Sequence, residues 1–281
     1  MEKFCDLHTH SLFSDGSCRP SEIIELAEKS GLTAVALSDH NTTDGLLEFL
    51  KAAKGSSVLA IPGAEFSVDF NGTELHLLGL FLPEKSFSQI SEIMEAAKKR
   101  KENSNIELIK ALKTININLD YETIKSKTPT GYVNRVHIAE EMVSLGYISS
   151  ITEGFATHLS KKAGFYKEPK RTSVYEMTDI IRSLGGAPIL AHPLLNLSEN
   201  EFTDFLPSAK SAGLLGFECY YSSYSQEQTD FSLSLIKEFG LSPSGGSDFH
   251  GFKKPDINLG TGKGNLKIPF DWALAIKNSI N

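Results

Sequence analysis

Short apolar runs alternate with amphipathic stretches in the first third of the chain. Apolar runs of about five residues indicate buried strands, and apolar positions spaced three or four residues apart indicate helices. On this pattern the predicted strands are 3–7, 33–37, 58–66 and 74–81, the last a strand or hairpin arm, and the predicted helices are 20–29 and 43–53. The chain therefore begins as βαβα.

The same alternation resumes near residue 185. The predicted strands of this part are 187–191 and 215–219, followed by a short segment at 242–246, and the predicted helices are 199–211 and 226–239. Strands that alternate with helices usually lie parallel in one sheet, with the helices packed on its faces. The sequence therefore predicts an α/β fold built on a parallel barrel.

Residues 85–172 interrupt this alternation with helical patterning and little strand character. The segment leaves the barrel after the strand that carries His76 and returns before the strand that carries His192, so we expect a lid over the mouth of the barrel. Within it, helices are predicted at 90–112, 134–145 and 151–161. The predicted domains are a barrel of residues 1–85 and 173–281 and a helical insertion of residues 86–172.

Histidines and carboxylates lie at or near the predicted strand ends along almost the whole chain. An isolated histidine is more often a packing or surface residue than a ligand, and short motifs have high false-positive rates. Here, however, His8, His40 and His192 each follow a predicted strand, and α/β proteins bind ligands at the carboxyl ends of their strands. The shared position favours a site formed by His8, His10, Asp15, His40, Glu65, His76, His192, Asp248 and His250.

The number of these donors indicates more than one metal ion. A structural zinc ion takes four ligands, and a catalytic one usually takes three and keeps a position open. Divided among two or three divalent ions, the set leaves about three protein ligands for each, with open positions for water and substrate. Imidazole and carboxylate donors without a cysteine cluster suit manganese, iron or zinc. The sequence predicts a multi-metal hydrolytic site.

Composition and charge agree with a soluble enzyme. The chain has 281 residues, a formal net charge of −7 and 40% hydrophobic residues, enough for one large core and an appended subdomain. No run of about 18 apolar residues and no signal peptide is present, so we expect a cytoplasmic protein that makes no membrane contact. The acidic charge argues against binding of long duplex nucleic acid, but three divalent ions beside three carboxylates would leave the site about +3.

Seven sequence motifs together resemble one known family. They are Asp6-Leu7-His8-Thr9-His10, Ser14-Asp15-Gly16, Ser38-Asp39-His40-Asn41-Thr42, Pro62-Gly63-Ala64-Glu65, His76, Ala191-His192-Pro193 and Gly246-Ser247-Asp248-Phe249-His250. The chain resembles the PHP (polymerase and histidinol phosphatase) superfamily of metal-dependent phosphoesterases. Within it, the chain is similar to the stand-alone branch that hydrolyses nucleoside 3′,5′-bisphosphates and short RNA ends. The resemblance implies a distorted (β/α)7 barrel with a helical insertion and a trinuclear site.

The resemblance also implies how the ligands are divided. One ion would take His8, His10, Glu65 and Asp248, and a second would take Glu65, His76 and His192, so that Glu65 bridges the two. The third ion would take Asp15, His40 and His250. Asn41 stands where relatives often carry Asp, which affects only a contact outside the ligand set.

Three residues of the insertion are candidates for binding the substrate. The Arg135 guanidinium can donate two hydrogen bonds to a phosphate, which would explain a preference for bisphosphates, although a solvated helix arginine is the ordinary alternative. His137 is a candidate to protonate a leaving group or hold a phosphate, or else it packs the helix. Tyr166 would stack on a base or pack the insertion. With Glu65 and His192, we assign Arg135 and His137 to the catalytic set.

The expected reaction is hydrolysis of a phosphate ester of a nucleotide or short oligonucleotide. The resemblance implies in-line attack on phosphorus by a metal-bridging hydroxide, without a nucleophilic side chain. Three alternatives stay open: a phosphatase of another small metabolite such as histidinol phosphate, an amidohydrolase-type enzyme, and a non-catalytic scaffold stabilised by metal. The metal identity and the oligomeric state stay open as well.

Overall fold

Eight strands form one sheet in the computed structural model, which describes residues 2–128 and 133–280. In chain order they are β1 (Phe4–Asp6), β2 (Ala34–Leu37), β3 (Leu59–Phe70), β4 (Thr73–Leu80), β5 (Ala187–Ala191), β6 (Gly216–Tyr221), β7 (Ser242–Gly246) and β8 (Ile268–Pro269). Their order across the sheet is β7-β6-β5-β4-β3-β2-β1-β8. β1 is thus inside the sheet, between β2 and the short antiparallel β8.

Hydrogen bonds beyond the strand ladders bring β7 alongside β1 and nearly close the barrel. The Leu7 N–H donates to the Gly245 carbonyl at 3.2 Å, and the Asp248 N–H donates to the His8 carbonyl at 2.9 Å. These contacts join the carboxyl ends of the first and seventh strands. The segments His8-Thr9-His10 and Asp248-Phe249-His250 follow these two ends. The predicted α/β barrel is confirmed.

The direction of β4 differs from the parallel arrangement that the alternation predicted. β4 is antiparallel to both β3 and β5, whereas the pairs β1–β2, β2–β3, β5–β6 and β6–β7 are parallel. Asn71 and Gly72 cause the reversal: both have positive φ, 51° and 85°, as the tight two-residue turn between Phe70 and Thr73 requires. A continuous β3–β4 hairpin replaces a βα unit at this point.

Ten α-helices are present in the described residues. They are α1 (Pro20–Lys29), α2 (Leu46–Ala52), α3 (Phe87–Lys113), α4 (Tyr121–Lys127), α5 (Arg135–Ser144), α6 (Ile151–Gly154), α7 (Val174–Ser183), α8 (Glu199–Ser211), α9 (Gln226–Phe239) and α10 (Phe270–Asn278). The predicted helix at 151–161 is instead a single α-turn followed by a π-turn at Phe155–Leu159. None of the helices in the described residues is both long and apolar enough to cross a bilayer.

The chain divides into two compact units, each with its own apolar core. The first unit combines the chain up to Ser91 with the chain from Thr172 onward, and the second is Glu92–Arg171. Strand residues such as Ala36, Leu78 and Ile189 are fully buried in the first core. The second core consists of helix and loop residues, including Leu108, Ile124, Ile138, Met142 and Leu159. Each unit therefore buries enough apolar surface to hold its helices or strands in place.

Candidate metal centre

The structure brings together all nine residues that the sequence singled out as metal ligands. Six of them follow a strand at the carboxyl edge of the barrel: His8 and His10 after β1, His40 after β2, His192 after β5, and Asp248 and His250 after β7. Glu65 lies inside β3, which continues to Phe70 instead of ending there. His76 reaches the same edge because β4 runs in the opposite direction, which pairs it with Ala191, the neighbour of His192.

Glu65 occupies the centre of the cluster and is fully buried. Its Oε1 lies 2.9 Å from His76 Nδ1 and 3.2 Å from His192 Nε2. Its Oε2 lies within 3.3 Å of one ring nitrogen from each of three further histidines: His40 (3.0 Å), His8 (3.2 Å) and His10 (3.3 Å). One carboxylate thus faces five imidazole rings.

Asp248 approaches the cluster with one oxygen and is held in place through the other. Its Oδ1 lies 3.1 Å from His10 Nε2 and 3.5 Å from His250 Nδ1. Its Oδ2 accepts a hydrogen bond from the Tyr221 hydroxyl at 2.8 Å and another from the Lys254 ammonium at 2.7 Å. The two outer contacts direct Oδ1 toward the histidines.

Asp15 forms the exposed side of the cluster. Its Oδ1 lies 3.2 Å from His250 Nε2, and its Oδ2 lies 3.8 Å from His40 Nε2. The Asp15 side chain is 53% exposed, and the His40 and His76 side chains are 26% and 23% exposed, whereas His8 and His10 are fully buried. Solvent therefore reaches the cluster at Asp15, His40 and His76.

Hydrogen bonds among these side chains cannot satisfy all of their nitrogen and oxygen atoms. His8 Nε2 and His10 Nε2 are only 3.0 Å apart and both face Glu65 Oε2. His10 Nδ1 and His192 Nδ1 are buried without a hydrogen-bond partner, which is costly inside a protein. Metal ions need unprotonated lone pairs that converge in this way, and the ligand atoms form three overlapping groups: His10, Asp15, His40 and His250; His8, His10 and Glu65; and His40, Glu65 and His76. The residues fit a metal centre.

The pKa values of residues in the cluster are shifted in different directions by their surroundings. Burial would raise the pKa of Glu65, but His40, His8 and His76 hold that pKa well below its usual range. Burial would lower the pKa of His10, but hydrogen bonds to Asp248 and Glu65 raise it to about 9. Burial dominates at His40 and lowers its pKa to about 4. Without metal, His10 is therefore protonated at neutral pH while His40 offers a free lone pair.

We expect metal affinity to rise with pH through the neutral range. A metal ion must displace the proton that His10 keeps, in the metal-free protein, up to its pKa of about 9. Each displaced proton lowers the apparent affinity about tenfold per pH unit below that pKa. Titration of metal-free protein with Mn²⁺ at several pH values, in buffers of different ionisation enthalpy, measures both the affinity and the protons released. An affinity that is constant between pH 6.5 and 8.5 would contradict this assignment.

Glu218 supports two of the predicted ligands and was not assigned a role from the sequence. It is fully buried in β6. Its Oε1 lies 3.0 Å from His8 Nδ1, and its Oε2 accepts a hydrogen bond from the His192 backbone N–H at 2.8 Å. When Nδ1 of His8 donates to Glu218, Nε2 stays free to face Glu65. The signal in the sequence was a glutamate inside the otherwise apolar strand Gly216–Tyr221.

Glu218→Gln is expected to weaken metal binding about 10- to 100-fold. The amide has one oxygen, so it cannot accept hydrogen bonds from both His8 Nδ1 and the His192 N–H. Competition against a chromogenic chelator measures the change in affinity, and Glu227→Gln on the exposed face of α9 is the matched control. Equal metal affinity in both variants would show that Glu218 does not orient His8.

Two further aspartates hold the loops that carry the candidate ligands. The buried Asp6 carboxylate accepts hydrogen bonds from the Ser247 N–H (2.9 Å), the Ser247 hydroxyl (2.5 Å) and the Gly260 N–H (2.7 Å), which ties β1 to the loop after β7. Asp39 accepts hydrogen bonds from the Ser11 N–H at 2.7 Å and the Ser14 hydroxyl at 2.6 Å. The loop that carries Asp15 is thereby fixed to the end of β2.

The backbone is strained at two of the candidate ligands. His192 and Asp248 have φ of 29° and 56°, a region that residues with a side chain rarely adopt. Strain of this kind persists where the surrounding structure enforces it, and it is concentrated at functional sites. Gly246 permits the arrangement, because a Cβ there would lie 2.1 Å from His8 Cβ.

The three candidate substrate residues lie in the second unit, where each has contacts of its own. The Arg135 guanidinium donates to the Leu159 carbonyl at 3.0 Å and lies 4.0 Å from the centroid of the Tyr166 ring. His137 Nδ1 accepts a hydrogen bond from the Asn134 N–H at 3.0 Å, which caps α5. Each contact has a structural purpose, and the roles of these residues in substrate binding stay predictions.

An α/β barrel that gathers imidazoles and carboxylates at the carboxyl edge of its strands defines a metal-dependent hydrolase. The sequence profile of the PHP domain matches residues 6–177, more than half of the chain. The chain belongs to the PHP domain family. It is an enzyme of the metal-dependent phosphoesterase class, as its sequence predicted.

Similar proteins cover almost the whole chain. A 5′-3′ exoribonuclease of Haemophilus influenzae is 30% identical over 251 residues, which are 89% of this chain and 91% of that protein. A 3′,5′-nucleoside bisphosphate phosphatase of Chromobacterium violaceum is 25% identical over 247 residues, 87% of this chain and 86% of that one. The crystal structure of a protein inferred to be a metal-dependent phosphoesterase from Bifidobacterium adolescentis superposes with a TM-score of 0.74 at 25% identity, covering 99% of this chain and 96% of that chain.

Proposed function

We propose that the chain hydrolyses a phosphate ester of a nucleotide or of a short RNA end, with two or three divalent ions held by the nine-residue cluster. The observation that carries the proposal is the convergence of five imidazole rings on the buried carboxylate of Glu65. The relatives named above, an exoribonuclease and a nucleoside bisphosphate phosphatase, support a nucleotide substrate. Manganese, iron or zinc suits these donors.

The ligands would be divided as the family resemblance implies, with Glu65 shared between two ions. The contacts of Glu65 support this: Oε2 faces His8 and His10, and Oε1 faces His76 and His192. The third group would be Asp15, His40 and His250, whose ligand atoms lie within 4.8 Å of one another and of His10. Bound there, divalent ions lower the pKa of water toward neutrality and neutralise the charge of phosphoryl oxygens.

The residues of the barrel would prepare the site before a substrate arrives. Glu218 fixes the tautomer of His8, and Tyr221 and Lys254 fix the orientation of Asp248. Side chains held by such contacts would need little rearrangement when a substrate binds. The exposed side at Asp15 would admit the phosphate, and no serine or cysteine is required as a nucleophile.

The insertion would act as a lid that contributes to substrate binding. Arg135 is proposed to hold a phosphate, His137 to assist the leaving group, and Tyr166 to stack on a base. The guanidinium of Arg135 lies against the Tyr166 ring, so a phosphate bound by Arg135 would lie near an aromatic surface. A nucleotide presents these two features, an anionic group and a base.

Phosphate release from a panel of esters after manganese reconstitution tests the proposal. The panel is an aryl phosphate, adenosine monophosphate, adenosine 3′,5′-bisphosphate, a short RNA and histidinol phosphate. We expect faster turnover of the bisphosphate or the RNA than of the aryl and histidinol phosphates. Preferred turnover of histidinol phosphate would instead assign a metabolite phosphatase, and an inert panel with metal bound would favour a scaffold.

A further inference from the structure

A pocket of about 330 Å³ opens beside the metal centre on the barrel unit. It lies at the ends of β6 and β7 and is lined by Tyr221, Ser223, Asp248 and part of the segment 254–263. Asp248 belongs to both the pocket and the cluster: Oδ1 faces His10, whereas Oδ2 contacts Tyr221 and Lys254, which line the pocket. Asp248 therefore lies between the cluster and this pocket.

The pocket wall has one lysine that is paired and one that is not. Lys254 is paired with Asp248. Lys263 lines the same pocket, is exposed, and has no ion pair or hydrogen bond within residues 2–128 and 133–280. Asp256 also lines the pocket and is exposed. Lys263 is therefore the cation available to a ligand there, and Asp256 is the charge that opposes an anion.

We infer that this pocket binds the part of the substrate that is not cleaved, and that Lys263 contacts a second phosphate there. The inference rests on the proposed nucleotide phosphoesterase function and adds a residue that selects bisphosphates. A volume of about 330 Å³ falls in the range of small-molecule sites, and the Tyr221 ring and Ile257 provide an apolar wall for a sugar or base. A phosphate held by an ammonium group forms a charge-assisted hydrogen bond.

If Lys263 attracts the second phosphate and Asp256 repels it, replacing each residue should change KM in opposite directions. Lys263→Met is expected to raise KM for adenosine 3′,5′-bisphosphate about tenfold, a loss of about 1.4 kcal/mol, with kcat nearly unchanged. Asp256→Asn is expected to lower the same KM about two- to threefold, because it removes the repulsion of a bound anion. For adenosine monophosphate, which has no second phosphate, both changes should stay within about twofold.

Control variants separate this role from general damage. Lys267→Met removes another exposed lysine of the same segment that does not line the pocket, and it should leave both KM values unchanged. Lys263→Arg keeps the charge and should retain most of the affinity for the bisphosphate. Arg135→Met, measured on the same two substrates, tests the competing prediction that the insertion holds the second phosphate.

The outcomes distinguish the inference from the function on which it rests. Selective loss of bisphosphate affinity in Lys263→Met, with the opposite sign in Asp256→Asn, supports the inference. Wild-type turnover of the bisphosphate, together with equal or absent effects of Lys263→Met on the two substrates, overturns it while the proposed function stands. Selective loss in Arg135→Met alone also overturns it. If the wild-type enzyme cleaves the short RNA but neither nucleotide, the inference fails while the proposed function stands. If it hydrolyses neither the nucleotides nor the RNA, both fail.

Discussion

Glu65→Gln is expected to remove metal binding and turnover together, with a loss in kcat/KM of at least about 10³-fold. The variant keeps the shape of the side chain but removes the charge that five imidazole rings surround. An amide has one acceptor oxygen, so it cannot serve the groups on both sides of Glu65. The metal content of the purified variant and its phosphate-ester turnover measure the two losses separately.

A matched control shows that the loss in Glu65→Gln is local. Glu25→Gln changes a glutamate whose side chain is 66% exposed on α1 and should leave metal content and turnover unchanged. Thermal unfolding of both variants without metal establishes that each is folded. If folded Glu65→Gln retained its metal and more than about a tenth of the activity, Glu65 would not be a ligand shared between ions.

Removal of the metal with a chelator should abolish turnover and lower the melting temperature. Without metal, the cluster buries ring nitrogens that have no hydrogen-bond partner, including His10 Nδ1 and His192 Nδ1. An ion that binds only the folded chain, present at about a thousand times its dissociation constant, stabilises that chain by about 4 kcal/mol. Turnover and unfolding temperature, measured before chelation, after it and after addition of Mn²⁺, provide the test.

Turnover and melting temperature should fall together after chelation and recover together after addition of Mn²⁺. Restored turnover with a restored melting temperature would place the ions at the cluster that stabilises the barrel. Full turnover in the chelated protein, with no metal detected, would contradict a metal-dependent reaction. Circular dichroism of the chelated protein is the control, since the apolar core around Leu78 and Ile189 contains no ligand and should keep the barrel folded.

The positions of most candidate ligands could be predicted because α/β proteins bind ligands at the carboxyl ends of their strands, and these residues follow predicted strands. His8, His40 and His192 come directly after apolar runs, and such runs become strands whose carboxyl ends meet at one edge. Glu65 and His76 do not follow this rule, since they lie inside β3 and β4. The sequence nevertheless included both among the nine donors, Glu65 near the end of the predicted strand 58–66 and His76 within the predicted strand 74–81, and the family motifs agreed with that choice.

The hairpin arm that the sequence offered for 74–81 has a local chemical basis. Asn71-Gly72 between two alternating runs is a strong hairpin signal, because both residues adopt positive φ at little cost. The sequence analysis left 74–81 open as a strand or a hairpin arm, and the structure shows the hairpin arm. The consequence for the site is favourable, since the reversed strand carries His76 to the edge where His192 lies.

The supporting contacts could not be predicted, because they join distant parts of the sequence. Glu218 meets His8 across 210 residues, and Asp6 meets Ser247 across 241. No periodic pattern encodes such pairs, which arise when the barrel closes. Lys254 resembled any lysine of a loop until the structure placed its ammonium beside Asp248.

Anomalous diffraction from crystals grown with Mn²⁺ is the direct test of whether the nine-residue cluster binds metal ions. Two or three anomalous peaks are expected within the nine-residue cluster, at least one of them beside Glu65 and near His8 or His192. Peaks confined to other surfaces of the molecule, or an unmodified Glu65 cluster without any peak in protein that still hydrolyses phosphate esters, would contradict this expectation.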